Sequence, residues 1–114
     1  MSVTEPRLKT EIWIKAAVRR ASVENIAIAV VRRGDPDGGA VLVKLNRLAQ
    51  GCSVLAETRD AGGARAWLRA TGPAFVAEDV ADAYIARNRK IDPDLWVIEI
   101  EDREGRLPFD AKVI

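Results

Sequence analysis

The tripeptide Asp-Pro-Asp occurs twice in the sequence, at residues 35–37 and at residues 92–94. Each copy stands just before an apolar segment that is typical of a β-strand. If those two strands ran parallel and close together, four carboxylates would gather at one end of a sheet. Carboxylate oxygens are ligands that Mg²⁺ and Ca²⁺ take in proteins. The pattern therefore predicts a Mg²⁺ or Ca²⁺ site at Asp35, Asp37, Asp92 and Asp94. The preferred alternative is two ordinary turns, because Asp and Pro are common turn residues.

A second candidate site lies on the segment from Ala64 to Ala70, where Arg65, Trp67 and Arg69 alternate with smaller residues. On a strand this spacing puts two cations and one aromatic ring on the same face. Basic side chains interleaved with an aromatic ring are what a single-stranded nucleic acid or a nucleotide binds. In the preferred alternative, the two arginines pair with carboxylates of neighbouring strands, while Trp67 packs or forms an interface.

The remaining residue types argue against catalysis. Histidine is absent, which removes the commonest general base and the commonest metal ligand. Cys52 is the only cysteine, so the chain forms no internal disulfide, and no histidine is present to activate the thiol. Glu99 and Glu101 share a strand face and suggest an acid/base pair, but charged residues at the exposed end of an edge strand explain them better. The sequence contains neither a GxGxxG nor a GxxxxGK[ST] phosphate loop. We therefore predict no catalytic residue.

Length and charge narrow the class of protein further. The chain has 114 residues, the usual size of one domain, with a net charge of +1 that gives no global attraction to nucleic acid or membranes. No apolar run approaches the roughly 20 residues that span a bilayer, and the start of the chain lacks a signal-peptide pattern. We expect a single cytoplasmic domain over residues 1–114, with a loose leader at 1–7 and a weakly specified tail at 106–114.

The strongest structural signal runs from Ile26 to Asn46. Two apolar, β-branched segments flank residues 34–39, which read Gly-Asp-Pro-Asp-Gly-Gly. Glycine, proline and aspartate between two such segments predict a β-hairpin. Because the first segment is apolar on both faces, it is predicted to be an internal strand.

The other elements follow from periodicity. Alternation over Thr10–Lys15 predicts a short strand before a helix over residues 16–24, although the i,i+4 spacing of Glu11, Lys15 and Arg19 leaves one continuous helix from Thr10 as an alternative. Three turns at short spacing predict a β-meander through residues 52–58 and 64–70.

Residues 76–90 have helical periodicity, with acidic residues first and basic residues last, before a final strand at residues 95–101. The predicted fold is therefore an α+β domain with the order β-α-β-β-β-β-α-β. Its single mixed or antiparallel sheet has five to six strands and a central meander, with two helices packed on it.

Several of these segments together resemble a domain-of-unknown-function family of small alphaproteobacterial proteins. The most specific are Gly-Asp-Pro-Asp-Gly-Gly at residues 34–39 and Asp-Pro-Asp-Leu-Trp at residues 92–96, and residues 8–14, 40–46 and 84–87 add to the likeness. The resemblance covers nearly the whole chain. It implies a bacterial protein and brings with it no known activity, cofactor or catalytic residue.

Three functional hypotheses follow. The leading one is a non-catalytic binding or protein-interaction module that associates with itself, as a homodimer, or with an unidentified protein. The surface would be a strand edge or the face that carries Trp67. The second is a divalent-metal-dependent or nucleotide-handling protein that uses the two Asp-Pro-Asp segments. The third is nucleic-acid binding through Arg65, Trp67 and Arg69.

Overall fold

The computed structural model describes residues 8–114, so the predicted leader lies outside the described residues. The chain forms two helices and a five-stranded sheet in the order α-β-β-β-β-α-β, which confirms the α+β class. The elements are α1 (Thr10–Glu24), β1 (Ala27–Arg32), β2 (Val41–Asn46), β3 (Cys52–Arg59), β4 (Arg65–Arg69), α2 (Glu78–Ile91) and β5 (Trp96–Glu101), with a short 3₁₀ turn at Leu48–Gln50.

The first element is one continuous helix. The predicted strand over Thr10–Lys15 was therefore wrong, and the alternative of a helix from Thr10 is confirmed. The buried residues of α1 are Thr10, Ile14, Ala17 and Ala21, whose spacing of three and four matches the helical period. Six residues of alternation were too short a window to reveal this longer stripe. The helix ends at Asn25, which takes the left-handed conformation with φ 58°.

The strand order in the sheet is β1-β5-β2-β3-β4. The antiparallel meander β2-β3-β4 is confirmed, but the predicted hairpin between β1 and β2 was wrong because β5 lies between them. β5 is parallel to β2 and antiparallel to β1, which makes the sheet mixed. Four of the six residues of β5 are buried, so a central position with neighbours on both sides suits it better than an edge.

β1 consequently forms one edge of the sheet, so its prediction as an internal strand was also wrong. Val30 and Val31 are 44% and 55% exposed. Helix α1 packs against β1 on one face, while α2 packs on β2 and β3 on the other face. The apolar composition of β1 on both faces therefore does not reflect burial on both faces.

The larger core lies between α1 and the sheet and includes Trp67, Trp96, Ile98 and Phe109; a smaller core under α2 includes Cys52, Ala81, Ile85 and Val97. The segment after β5 contributes to the larger core and then covers the β4 edge. Trp67 N–H donates to the Lys112 carbonyl at 2.8 Å, and Ile114 N–H donates to the Trp67 carbonyl at 2.9 Å. Neither helix within residues 8–114 has the length and apolar character needed to cross a membrane.

Candidate functional site

The two Asp-Pro-Asp segments meet in space. Asp35 N–H donates to the Asp94 carbonyl at 3.0 Å, and the Trp96 indole Nε1–H donates to the Asp35 carbonyl at 2.6 Å. The parallel pairing of β2 with β5 brings the two strand starts side by side, as the metal hypothesis required. The contacts that join the segments, however, are made by main-chain groups and an indole.

Three of the four carboxylates of these segments have a hydrogen-bond or ion-pair partner. Asp35 accepts the Gly38 N–H at 2.9 Å, and Asp92 accepts the Asp94 N–H at 3.0 Å, both as turn-closing bonds. Asp37 lies 3.5 Å from the Lys9 ammonium. Within residues 8–114, no group of three or more acidic, cysteine or histidine side chains is arranged to hold a metal ion. The hydrogen bonds of the two turns do not direct the four carboxylates toward a common point. A metal site at Asp35, Asp37, Asp92 and Asp94 therefore stays a prediction.

The predicted nucleic-acid face is divided by burial. Trp67 has no exposed surface, and its ring lies 5.7 Å from that of Trp13. Arg65 Nε lies 2.6 Å from the Glu57 carboxylate, and its guanidinium is 4.6 Å from the centre of the Trp13 ring. Only Arg69 of the predicted trio is exposed. The ring of Trp67 is covered in this structure, and nucleic-acid binding through Arg65, Trp67 and Arg69 stays a prediction.

An ionic network that sequence analysis missed lies between α2 and the sheet. Lys44 on β2 is 5% exposed, and its ammonium Nζ lies 2.7 Å from Glu78, 2.8 Å from Asp82 and 3.5 Å from Glu99. Asn46 adds contacts of 3.3 Å from its amide nitrogen to Glu78 and to Glu99. Because Lys44 pairs with Glu99 in the β2–β5 register, the fold fixes both residues on the face that α2 covers.

The network keeps Lys44 charged. Burial alone would lower the pKa of Lys44, but hydrogen bonds to Asp82 and Glu78 and the charge of Glu99 outweigh burial and raise the pKa well above its usual range. A lysine nucleophile or Schiff-base lysine needs the opposite, a lowered pKa. Burial also raises the pKa of the Cys52 thiol, which disfavours the reactive thiolate. The arrangement therefore suits fastening α2 to the sheet rather than nucleophilic catalysis.

A second feature is the outer edge of β1. No strand within residues 8–114 pairs with that side of β1, whereas the opposite edge of the sheet, at β4, is covered by the C-terminal segment. Beside the β1 edge, a crevice of about 280 Å³ opens between α1 and the sheet. Its lining residues are Glu11, Ile14, Lys15, Val18, Val30, Arg33 and Trp96. The edge thus combines unpaired main chain with a neighbouring apolar crevice.

The sequence profile of a family described as "Protein of unknown function (DUF1491)" matches residues 8–110. A crystal structure of a DUF1491 family protein from Caulobacter crescentus CB15 is similar, with 39% identity, a TM-score of 0.83, and coverage of 95% of this chain and 100% of that one. An NMR structure of a DUF1491 family protein from the same organism gives 40% identity and a TM-score of 0.79, with coverage of 94% and 96%.

The solution structure of protein Atu0922 from A. tumefaciens has a TM-score of 0.73 at 24% identity, over 94% of this chain and 98% of that one, so it supports the fold alone. No curated protein matches the chain. The profile match and the two Caulobacter structures confirm the resemblance seen in the two Asp-Pro-Asp segments and their surroundings. The chain therefore belongs to the DUF1491 family, whose function is unknown.

Proposed function

We propose that the protein is a non-catalytic interaction module that self-associates by strand addition at the outer edge of β1. The observation that carries the proposal is the unpaired outer side of β1 among the described residues. Strand addition uses main-chain hydrogen bonds for affinity and side-chain contacts for specificity.

The side chains of β1 favour such pairing. Natural proteins protect exposed edges with lysine, proline, inward-pointing charges or a covering segment. The stretch from Ala27 to Val31 contains neither a charged residue nor a proline. A bulge between Val30 and Arg32 interrupts the register only at the far end of the strand. The greater part of β1 is therefore a regular, apolar edge.

The crevice beside β1 adds apolar surface to the same region. Val30 forms one wall and is 44% exposed, and Val18 on α1 faces it and is 39% exposed. Arg33 lies at the rim, with its guanidinium 5.4 Å from the centre of the Trp96 ring. A strand added to β1 would cover these side chains, and burial of apolar surface supplies the main driving force of association.

The substitution Val31→Lys tests this proposal. A lysine at this 55% exposed position leaves the core untouched but places an ammonium at the associating edge. We expect light scattering after size exclusion at high micromolar concentration to give a mass near twice that of one chain for the wild type. The dimer would lose the apolar contact of a valine that it covers and would have to bury a charge instead. The dissociation constant should therefore rise by about tenfold to a hundredfold.

The matched control is Val23→Lys, which places the same charge at an 82% exposed valine on α1. This variant is expected to keep the wild-type mass. A wild-type protein that runs as a monomer at high micromolar concentration would contradict self-association. Equal loss of dimer in both variants would remove β1 as the associating surface.

A further inference from the structure

We infer that Arg32 and Glu101 select the partner strand and its direction, so that two copies of this chain pair their β1 strands antiparallel about a two-fold axis. The inference rests on the proposed function, since it requires that the β1 edge associates. It adds the residues that decide which strand is accepted and how that strand is oriented.

The first step is the placement of side chains on the two faces of β1. Ala27 and Ala29 pair with Glu101 and Glu99 of β5. Directly opposed residues of an antiparallel pair share a face. Because side chains alternate along β5, Glu99 and Glu101 lie on the same face as Val97, which packs in the core under α2. The face of β1 that carries Ala27 and Ala29 is therefore the α2 side of the sheet.

The bulge brings Arg32 to this same face. Without it, Arg32 would follow Val30 and point to the α1 side, but the register shift sets Arg32 opposite Val97. Arg32 and Glu101 thus lie on one face of the sheet at opposite ends of β1. The methyl side chains of Ala27 and Ala29 lie between them and are exposed.

Neither charge is neutralised within residues 8–114. Arg32 donates one hydrogen bond of 3.4 Å to the Pro93 carbonyl and has no carboxylate partner in that range, and its buried Nε has no hydrogen-bond partner there. Glu101 is exposed and has no cationic partner among the same residues. Arg33, by contrast, pairs with Glu11. A cation and an anion without partners therefore mark the two ends of the free edge.

Antiparallel pairing of two β1 strands brings opposite charges together. It sets the Arg32 end of one copy against the Ala27 end of the other, where Glu101 lies on the next strand. Two strand spacings amount to about 10 Å, which a long arginine and a glutamate bridge over the small Ala27 side chain. The two-fold axis produces this contact twice, because Arg32 of each copy meets Glu101 of the other. Parallel pairing of the same edges would turn one copy over, so that Arg32 of one copy and Glu101 of the other lie on opposite faces of the joined sheet and form no contact.

The test uses two charge reversals, Arg32→Glu and Glu101→Arg, measured separately and as an equimolar mixture. Alone, each variant places like charges at both contacts of its dimer, and we expect the dissociation constant to rise about tenfold. In the mixed dimer every contact again joins one cation to one carboxylate. We therefore expect mixing to restore the wild-type dimer, and about 0.5 M salt to reduce the differences among all samples.

Arg89→Glu, a charge reversal at an exposed position near the end of α2, is the control and should leave the dissociation constant unchanged. Circular dichroism and the thermal midpoint establish that each variant is folded. If Arg32→Glu alone fails to fold, the doubly substituted chain Arg32→Glu/Glu101→Arg serves instead, because its own dimer restores both contacts. Arg32 and Glu101 of one chain lie at opposite ends of β1 and cannot contact each other. A wild-type dissociation constant for the double variant would therefore show that the two residues meet between chains.

The results separate this inference from the proposal it rests on. A wild-type monomer overturns both. A dimer that Val31→Lys dissociates, but that mixed or doubly substituted charge variants fail to restore, overturns the antiparallel pairing and leaves association at the β1 edge intact. Restoration by charge complementation supports both.

Discussion

Replacing Lys44 by methionine is expected to lower the free energy of unfolding by about 3 kcal/mol, because three carboxylates then share one region without their cation. Methionine keeps most of the aliphatic stem, so the loss reports the ammonium rather than a cavity. The figure lies at the low end for a broken buried pair, since the side chains of Glu78 and Asp82 are each 56% exposed and retain water. Urea unfolding at pH 7 measures the change.

Lys112→Met provides the matched control. Lys112 also lies 3.0 Å from a carboxylate, that of Asp60, but its side chain is 61% exposed. Exposed ion pairs contribute at most about 1 kcal/mol, so the control should lose far less stability. In the Lys44→Met background, Glu99→Gln should recover part of the loss by removing one uncompensated charge. Similar losses for Lys44→Met and Lys112→Met would show that the network does not fasten α2.

The pH dependence follows from the direction of the Lys44 shift. The folded-state pKa is raised above the unfolded value, so the stabilisation is fully present below the unfolded pKa of about 10.4 and is lost as the pH rises through the folded pKa. The difference in unfolding free energy between wild type and Lys44→Met should therefore be the same at pH 7 and pH 9. A difference that grows between pH 7 and pH 9 would contradict a raised pKa, because the folded state would then release the Lys44 proton before the unfolded state does.

Local sequence patterns predicted the helices and strands better than they predicted which strands lie side by side in the sheet. The helix α2 and the meander β2-β3-β4 depend on residues close in sequence, and both were predicted. The predicted hairpin was wrong because it required β1 and β2 to pair with each other. Residues 34–39 allow the chain to reverse direction equally well when another strand lies between β1 and β2. Insertion of β5 from the far end of the chain is a non-local event that turn residues do not record.

The ionic network escaped prediction for a similar reason. Glu78 and Asp79 in the first turn of α2 were interpreted as charges that complement the helix dipole, a local explanation that needs no partner. Alternation along β2 places Lys44 on the face opposite to Val41, Val43 and Leu45, but it does not show what covers that face. Only the packing of α2 on that face turns an apparently solvated lysine into a buried one. An i,i+4 pair of acidic residues together with a lysine on an otherwise apolar strand is the signal that sequence analysis could have used.

The burial of Trp67 also depends on residues that are distant in sequence. Alternation placed Arg65, Trp67 and Arg69 on one strand face, but nothing nearby in sequence showed what covers that face. The rings of Trp13 and Phe109, from the two ends of the described chain, lie 5.7 Å and 5.2 Å from Trp67. An aromatic residue between arginines is therefore a core residue here, buried by segments more than 40 positions away in sequence.

The loop that gave the strongest sequence signal supports a second large prediction. A Cβ atom at Gly34 would lie 2.2 Å from the Asp94 carbonyl oxygen, and one at Gly39 would lie 2.4 Å from the same oxygen. Both positions also approach Cδ1 of Trp96, at 2.7 Å and 2.9 Å. The two glycines therefore let the loop pack directly on the start of β5. Conformational freedom in a turn is a lesser reason, because neither glycine takes a positive φ.

Gly34→Ala and Gly39→Ala are each expected to destabilise the fold by about 2–3 kcal/mol, because the added methyl meets main chain that cannot move without disturbing β5. Gly38→Ala is the control within the same loop. Its nearest neighbour is the Asp35 carboxylate oxygen at 3.9 Å, so the methyl fits. Alanine there reduces the freedom of the unfolded chain and should leave stability unchanged or raise it by up to about 1 kcal/mol.

Chemical unfolding compares the three variants. If all three lose the same stability, backbone flexibility rather than close packing explains the loop. Opposite signs at Gly38 and Gly39 would instead show that the two Asp-Pro-Asp segments act as a packed joint between β1, β2 and β5.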